Sequence, residues 1–277
     1  MCGIAGIYTE ERPVNEALLK PMAAALNHRG PDDTGYFTHR NCGLAHTRLS
    51  IVDLSGGHQP LLSDDGQLAL VANGEIYNAP ELRLELEKQG RHFKTHSDCE
   101  VILHAYAVFG KDKFLKYING MFAFALYDVK ERTLLLARDR MGMKPLFIAK
   151  TATGFAFASE IKGLLPLLPA KEIEPDGLMQ YFQHQFSAGR QTLLKGVERV
   201  LPGECITFQS GKLINRHKYW SALNVTPETY EYQDAQDIFD GLMETVMKQH
   251  MRADVPFGLF LSGGVDSSIL LSQLSRY

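Results

Sequence analysis

The 277-residue chain holds only four cysteines, Cys2, Cys42, Cys99 and Cys205, scattered without short paired spacings. They are too few and too irregular for a disulfide scaffold or a zinc ribbon, so reduced thiols are expected and no metal site is read from them. Long apolar runs are missing too: none approaches the roughly 20 residues that cross a bilayer. The opening Met1-Cys2-Gly3-Ile4-Ala5-Gly6 lacks the basic start and apolar stretch of a signal peptide, so a cytoplasmic location without a membrane partner is expected. Charge of one sign is nearly balanced by the other. Against 32 acidic side chains stand 29 basic ones, a net of -3, which offers no footprint for nucleic acid. With 24 Gly, 12 Pro, 45% hydrophobic and 22% charged residues, collagen-like and disordered readings drop out. What remains is a soluble globular chain whose length, at about 150 residues per domain, suits two domains.

Gly3 to Tyr8 reads as a short buried strand beginning just after Cys2. Helical spacing of Val14, Leu18, Met22, Ala25 and Leu26 ends at Gly30-Pro31, with Pro21 implying a late start or a kink. Strands are predicted over 44–52 and 68–72, the second ending in the polar loop Asn73-Gly74-Glu75. Asn78 with Glu81, and Ser97 with Glu100, carry helix-capping signatures. Four further strands, over 121–127, 133–137, 145–149 and 154–158, complete an antiparallel sheet system covered by helices. Short helices and strands alternate from Glu160 to Tyr219, and Val225-Thr226-Pro227-Glu228-Thr229 reads as a linker. Beyond it a helix is expected from about Asp234 to His250, then a strand over Phe257–Leu261, then a Gly-rich turn and a second helix carrying Ile269, Leu270 and Leu274. One strand and one helix cannot complete a parallel sheet, so residues from about 234 onward are expected to pack poorly or to lean on the first domain or another copy.

Cys2 is the first chemical clue. Removal of Met1 would put a thiol and an α-amine of ordinary pKa near 8 on one residue, a nucleophile carrying its own base. Asn73 and Gly74 could offer a side-chain amide and a backbone N–H to an oxyanion, although Asn-Gly is also a turn dipeptide. Arg48, in an otherwise apolar strand, suits capture of a carboxylate or an internal ion pair. Glu75 and Asp98 could share an ammonium group, while Asp98 also suits a helix start. His92 and His96 are four apart but have no third ligand in view and are set aside. Ser262-Gly263-Gly264-Val265-Asp266-Ser267-Ser268, between a predicted strand and a helix, leaves N–H groups and hydroxyls for phosphate, without the lysine of a P-loop.

These segments, with His28-Arg29-Gly30-Pro31-Asp32, Arg48-Leu49-Ser50-Ile51-Val52-Asp53, Asn73 to Asn78, Ser97 to Glu100, Gly120 to Ala125 and Lys144-Pro145-Leu146, resemble the glutamine-dependent asparagine synthetases in order and over essentially the whole chain. The resemblance implies an α+β fold: an N-terminal-nucleophile four-layer αββα sandwich over residues 1–224, then the start of an α/β ATP-pyrophosphatase-type domain over 225–277. It implies that Cys2 attacks the glutamine amide, that Asn73 and Gly74 are the oxyanion donors, and that Arg48, Ile51, Val52, Glu75 and Asp98 hold the amino acid. It further implies ATP at Leu261, Ser262, Gly263, Gly264, Asp266, Ser267 and Ser268, with Mg2+ on the phosphates. Glutamine hydrolysis itself would need no cofactor, and the ammonia would amidate aspartate.

The remainder of the nucleotide pocket and the aspartate site lie downstream in relatives. The expectation is therefore a chain truncated early in the synthetase domain that hydrolyses glutamine on its own. Two other readings stay open: an amidotransferase of this type with another carboxylate acceptor, and a non-catalytic glutamine-binding fragment. Whether the chain forms a homodimer also stays open.

Overall fold

The structure, a computed structural model, describes residues 1–276. Two six-stranded antiparallel sheets form its centre. The first has the order β10-β8-β9-β1-β3-β2, from Val197–Arg199 (β10), Phe147–Thr151 (β8), Gly154–Ala158 (β9), Gly3–Thr9 (β1), Cys42–Arg48 (β3) and Asp33–His39 (β2). The second has the order β12-β11-β7-β6-β5-β4, from Lys212–Lys218 (β12), Glu204–Gln209 (β11), Thr133–Arg138 (β7), Gly120–Asp128 (β6), Leu68–Ile76 (β5) and Leu61–Leu62 (β4).

Alternation along each strand builds the layers. In β5, Ala69 and Val71 face the first sheet while Leu68, Leu70 and Ala72 face outward; in β6, Ala123, Ala125 and Tyr127 face inward while Phe122, Phe124 and Leu126 face out. The inward sets meet Ile4, Tyr8, Leu44 and Phe157 to make the inter-sheet core. The outer face of the second sheet is covered by Ala79–Lys88 (α2) and Glu100–Phe109 (α3). The outer face of the first is covered by Glu16–Leu26 (α1) and Ile161–Leu164 (α4). Helix, sheet, sheet, helix is the αββα sandwich expected from the sequence.

Several elements differ from the sequence reading. The apolar stripe of α1 is Leu19, Met22, Ala23 and Leu26, not a stripe through Leu18, which is exposed, and the helix runs through Pro21. The strand predicted over 44–52 stops at Arg48, leaving Ile51 and Val52 in a loop. β5 does not end before Asn73-Gly74 but continues to Ile76, because Asn73, Gly74 and Glu75 pair with Ala123, Phe122 and Met121. A Cβ on Gly74 would lie 2.1 Å from the Met121 carbonyl oxygen, so glycine permits that close approach. The Asn-Gly turn is thus excluded.

Beyond Pro175–His184 (α5) and β12 the chain reaches Tyr232–His250 (α6) and Val265–Leu274 (α7). No strand forms over 257–261; Phe260 is 99% exposed, and among the described residues no neighbouring strand receives this segment. The last helix begins at Val265, so Asp266, Ser267 and Ser268 occupy its first turn rather than the loop before it. On α6 and α7 only Met247 and Gln273 are buried. No described helix is long and apolar enough to cross a membrane.

Candidate active site

Gly3 sits opposite Thr47 in the β1/β3 ladder, so Cys2, just before β1, falls beside Arg48 and Leu49 at the end of β3. The Leu49 N–H points at Cys2 Sγ from 3.5 Å, and the Leu49 carbonyl lies 3.6 Å from it. A cavity of about 120 Å³ opens there, lined by Cys2, Arg48, Ile51, Val52, Asn73, Gly74, Glu75 and Asp98, every glutamine-site residue named from the sequence, together with Met1, Gln59 and Lys144. The Ser262–Ser268 segment is not part of it.

Burial pushes the Cys2 thiol above its ordinary range, while the Leu49 N–H, the chain-terminal amine and Arg48 pull it back. The amine of Met1 is lowered chiefly by burial, with Arg29 and Lys144 acting in the same direction and Cys2 opposing. A lowered amine is neutral over more of the physiological range.

Two residues of the other sheet, Asn73 and Gly74, line the same cavity as the thiol. Asn73 is buried, and its Nδ2 has no hydrogen-bond partner among the described residues. Such a buried orphan donor costs about 1–3 kcal/mol unless a ligand satisfies it. The second donor follows from ladder parity. Phe122, opposite Gly74, donates its N–H to the Asp139 carboxylate and accepts from the Asp139 N–H, so Gly74 and Phe122 form a non-hydrogen-bonded pair. The Gly74 N–H therefore turns away from β6, toward the edge that lines the cavity.

Arg48 is only 4% exposed and forms no salt bridge with a carboxylate among the described residues, contrary to the internal ion-pair alternative. Its guanidinium donates instead to the carbonyls of Val52, Asp53 and Leu54. A Cβ on Gly57 would come within 2.6 Å of Arg48 Nη2, so this glycine makes room for it. The loop holds this buried cation on carbonyl dipoles, a setting suited to an incoming carboxylate.

Across the cavity Asp98 accepts the Ile76 N–H at 2.6 Å. Burial, reinforced by the charge of Glu75, lifts its carboxyl to about 6 despite that hydrogen bond. Glu75 is likewise raised by burial, with Lys144 opposing. Two carboxylates short of positive charge suit an ammonium group between them.

The sequence reading left other members of this site without a role. Gln59 bonds both polar groups of Ala72, through Oε1 at 2.7 Å and Nε2 at 3.1 Å, and fixes the β5 edge next to Asn73. Arg29 donates Nε to the Cys2 carbonyl at 2.9 Å and Nη1 to Glu160 at 2.8 Å, so it ties the backbone of Cys2. Asp139 accepts the N–H groups of Phe122, Met141, Met143 and Lys144, which sets Lys144, a buried cation lowered by its burial, into the cavity wall. Arg29 and Lys144 stood in recognisable motifs; Gln59, Asp139 and Glu160 had no signal apart from their neighbours.

The distant Gly-rich segment has its own geometry. Gly264 caps α7, Gly263 adopts φ +82°, and the Ser262 and Ser267 hydroxyls lie 3.1 Å apart. Ser267 and Ser268 donate back to the Gly264 carbonyl. The first N–H groups of a ten-residue helix are available to an anion here, and these donors fit a phosphate.

The fold is shared with a solved glutamine amidotransferase. Glutamine phosphoribosylpyrophosphate amidotransferase of Bacillus subtilis superposes with a TM-score of 0.58 at 22% identity, over 79% of this chain and 49% of that one. The allosteric regulatory enzyme of purine biosynthesis does so with a TM-score of 0.59 at 21% identity, over the same shares. Residues 1–220 match the glutamine amidotransferase domain model, and the chain belongs to that family. Residues 239–277 match the asparagine synthase model. Asparagine synthetase (glutamine-hydrolysing) 1 of Bacillus subtilis is 38% identical over 281 residues, covering 100% of this chain and 44% of the relative. The Zea mays asparagine synthetase (glutamine-hydrolysing) is 33% identical over 283 residues, 100% of this chain and 42% of that protein. The chain thus spans less than half the length of these two relatives.

Proposed function

We propose that the cavity is a glutaminase site and that the chain hydrolyses L-glutamine to glutamate and ammonia. The observation that carries this reading is the unpartnered Asn73 amide, placed with the Gly74 N–H in the same small cavity as the Cys2 thiol. Arg48 would take the α-carboxylate of glutamine, while Glu75 and Asp98 would take its ammonium group, with the Ile51–Val52 backbone closing one side. That fixes the side-chain amide over Cys2.

With Met1 removed, the α-amine of Cys2 accepts the thiol proton as Sγ bonds to the amide carbon. The carbonyl oxygen becomes an oxyanion held by Asn73 Nδ2 and the Gly74 N–H. As the tetrahedral adduct collapses, the C–N bond breaks, the amine returns its proton to the leaving nitrogen, and ammonia departs from a thioester. Water then attacks the thioester carbon, giving one proton to the amine, and the C–S bond breaks to release glutamate and restore the thiol.

Incubation of processed protein with glutamine tests this: equal release of glutamate and ammonia is expected, and none from Cys2→Ala. Tight glutamine binding by processed wild type without turnover would overturn it in favour of a binding module. In a complete synthetase the ammonia would serve ATP-dependent amidation of aspartate in the cytoplasm. ATP with Mg2+ would supply the activation of the acceptor carboxylate. Leu261, Ser262, Gly263, Gly264, Asp266, Ser267 and Ser268 are the residues of this chain that would hold its phosphates. Residues 225–277 would then be the opening part of the synthetase domain, after a glutaminase domain over 1–224.

A further inference from the structure

The segment just beyond α6 reaches back to both walls of the cavity. On one side, Asp254 accepts the Asp53 N–H on Oδ2 at 2.7 Å and donates its own N–H to the Ile51 carbonyl at 2.9 Å. On the other, Arg252 donates to the Tyr77 carbonyl and lies 3.4 Å from Glu81, while the rings of Tyr77 and His250 are 4.3 Å apart. Tyr77 follows directly on the β5 residues that carry Asn73, Gly74 and Glu75.

The first of these contacts falls on a loop that determines where Arg48 points. The carbonyls of Val52, Asp53 and Leu54 are the acceptors of its guanidinium. Asp53 adopts φ +53°, a conformation that costs a non-glycine residue energy unless its surroundings impose it. They do so from three directions. Its carboxylate accepts the His96 N–H at 2.8 Å and the Gly56 N–H at 3.1 Å, and its N–H is held by Asp254. Two of those grips come from the first 100 residues, whereas the third comes from the stretch matching the asparagine synthase model.

We propose that Asp254 is a positioning residue for glutamine recognition, acting through the Ile51–Leu54 loop on the Arg48 guanidinium. The proposal rests on the glutaminase reading of the cavity. Release of the Asp53 N–H lets the loop relax from its left-handed turn, and the three carbonyls that aim Arg48 move with it. Cys2 lies just before β1 and the oxyanion donors belong to β5, and none of them hydrogen-bonds to this loop among the described residues. The loss therefore falls on binding of the α-carboxylate rather than on the chemical step.

The experiment compares wild type, Asp254→Ala and Asp254→Asn as full chains with Met1 removed, on L-glutamine and on 4-aminobutanamide, which lacks the α-carboxylate. Asp254 is exposed, so neither variant disturbs the core. For Asp254→Ala the expected result is a KM for glutamine raised about five- to tenfold, the scale of one ordinary hydrogen bond, with kcat within about twofold. On 4-aminobutanamide its kcat/KM should equal that of wild type. Asp254→Asn, which keeps an oxygen acceptor, should regain most of the affinity. An unchanged glutamine KM, a loss confined to kcat, or an equal loss on both amides would overturn the proposal while leaving the glutaminase reading intact. Wild type that neither binds nor hydrolyses glutamine would overturn that reading, and this proposal with it.

Discussion

The carboxyl of Asp98 makes the candidate site costly to the free protein, and replacing it should show this. Its folded-state pKa of about 6 lies above its ordinary 3.8, because burial and the neighbouring Glu75 disfavour the charged form. The folded state thus binds more protons than the unfolded one between those values, so this group's contribution to stability falls as pH rises through the window. The ionised carboxylate should cost about 3 kcal/mol at pH 7.5 but only about 1 kcal/mol at pH 4.5. Asp98→Asn keeps an oxygen for the Ile76 N–H and removes the charge. Without glutamine, the variant should be more stable than wild type at pH 7.5, by roughly 5–10 °C in Tm, with a smaller gain at pH 4.5. Glutamine binding, which needs that charge opposite an ammonium group, should weaken sharply in the same variant. Thermal unfolding at the two pH values, with and without glutamine, checks all of this. A variant that is destabilised at pH 7.5, or that gains equally at both values, refutes the electrostatic account.

Asn73→Ala should lower kcat for glutamine hydrolysis by about 10²–10³ with KM within a few-fold, since its amide is needed where charge develops; steady-state kinetics measure the split. Arg48→Lys should raise the glutamine KM by about tenfold or more, because one ammonium group cannot both span the Val52–Leu54 carbonyls and hold a carboxylate bidentately. Gly74→Ala places a methyl group 2.1 Å from the Met121 carbonyl oxygen, so urea unfolding should show a loss of about 1–3 kcal/mol or more. Preparations that retain Met1 by intact mass should be inactive and processed ones active, because only the processed chain carries the amine on Cys2 itself.

What the sequence made readable was local. Asn73-Gly74-Glu75, Arg48 and Cys2 carry their chemistry in their own side chains or in adjacent backbone, so residue type and neighbours sufficed to single them out. Their convergence is long-range. Gln59 reaches β5 across a 13-residue separation and Glu160 reaches Arg29 across 131, and no spacing rule ties such residues together. The edge strand β2 escaped notice because its half-exposed run Asp-Thr-Gly-Tyr-Phe-Thr-His lacks clean apolar alternation. The predicted strand at Phe257–Leu261 failed for the opposite reason. Its apolar pattern suits a buried parallel strand, but a strand exists only with neighbours, and none is present among the described residues. The expectation of weak packing from about residue 234 agrees with the few buried side chains of α6 and α7, although the 250–254 segment leans firmly on the first region.

The placement of Cys2, Asn73 and Gly74 would give the inter-sheet core a part in the proposed chemistry. Cys2 belongs to the sheet of β1 and β3, while Asn73 and Gly74 belong to the sheet of β5 and β6. Packed sheets ordinarily lie about 10 Å apart. Here Ala69, Val71, Ala123 and Ala125 line the inward face of β5 and β6, and β5 touches both β1 and β3 directly. Small side chains at these positions bring the two strand ends close enough for a thiol on one and an amide donor on the other to share a cavity of about 120 Å³. Larger residues would wedge the sheets apart at the end where the site lies. Cys2 and the donors that would stabilise its adduct are therefore held in register by the apolar packing between the two sheets.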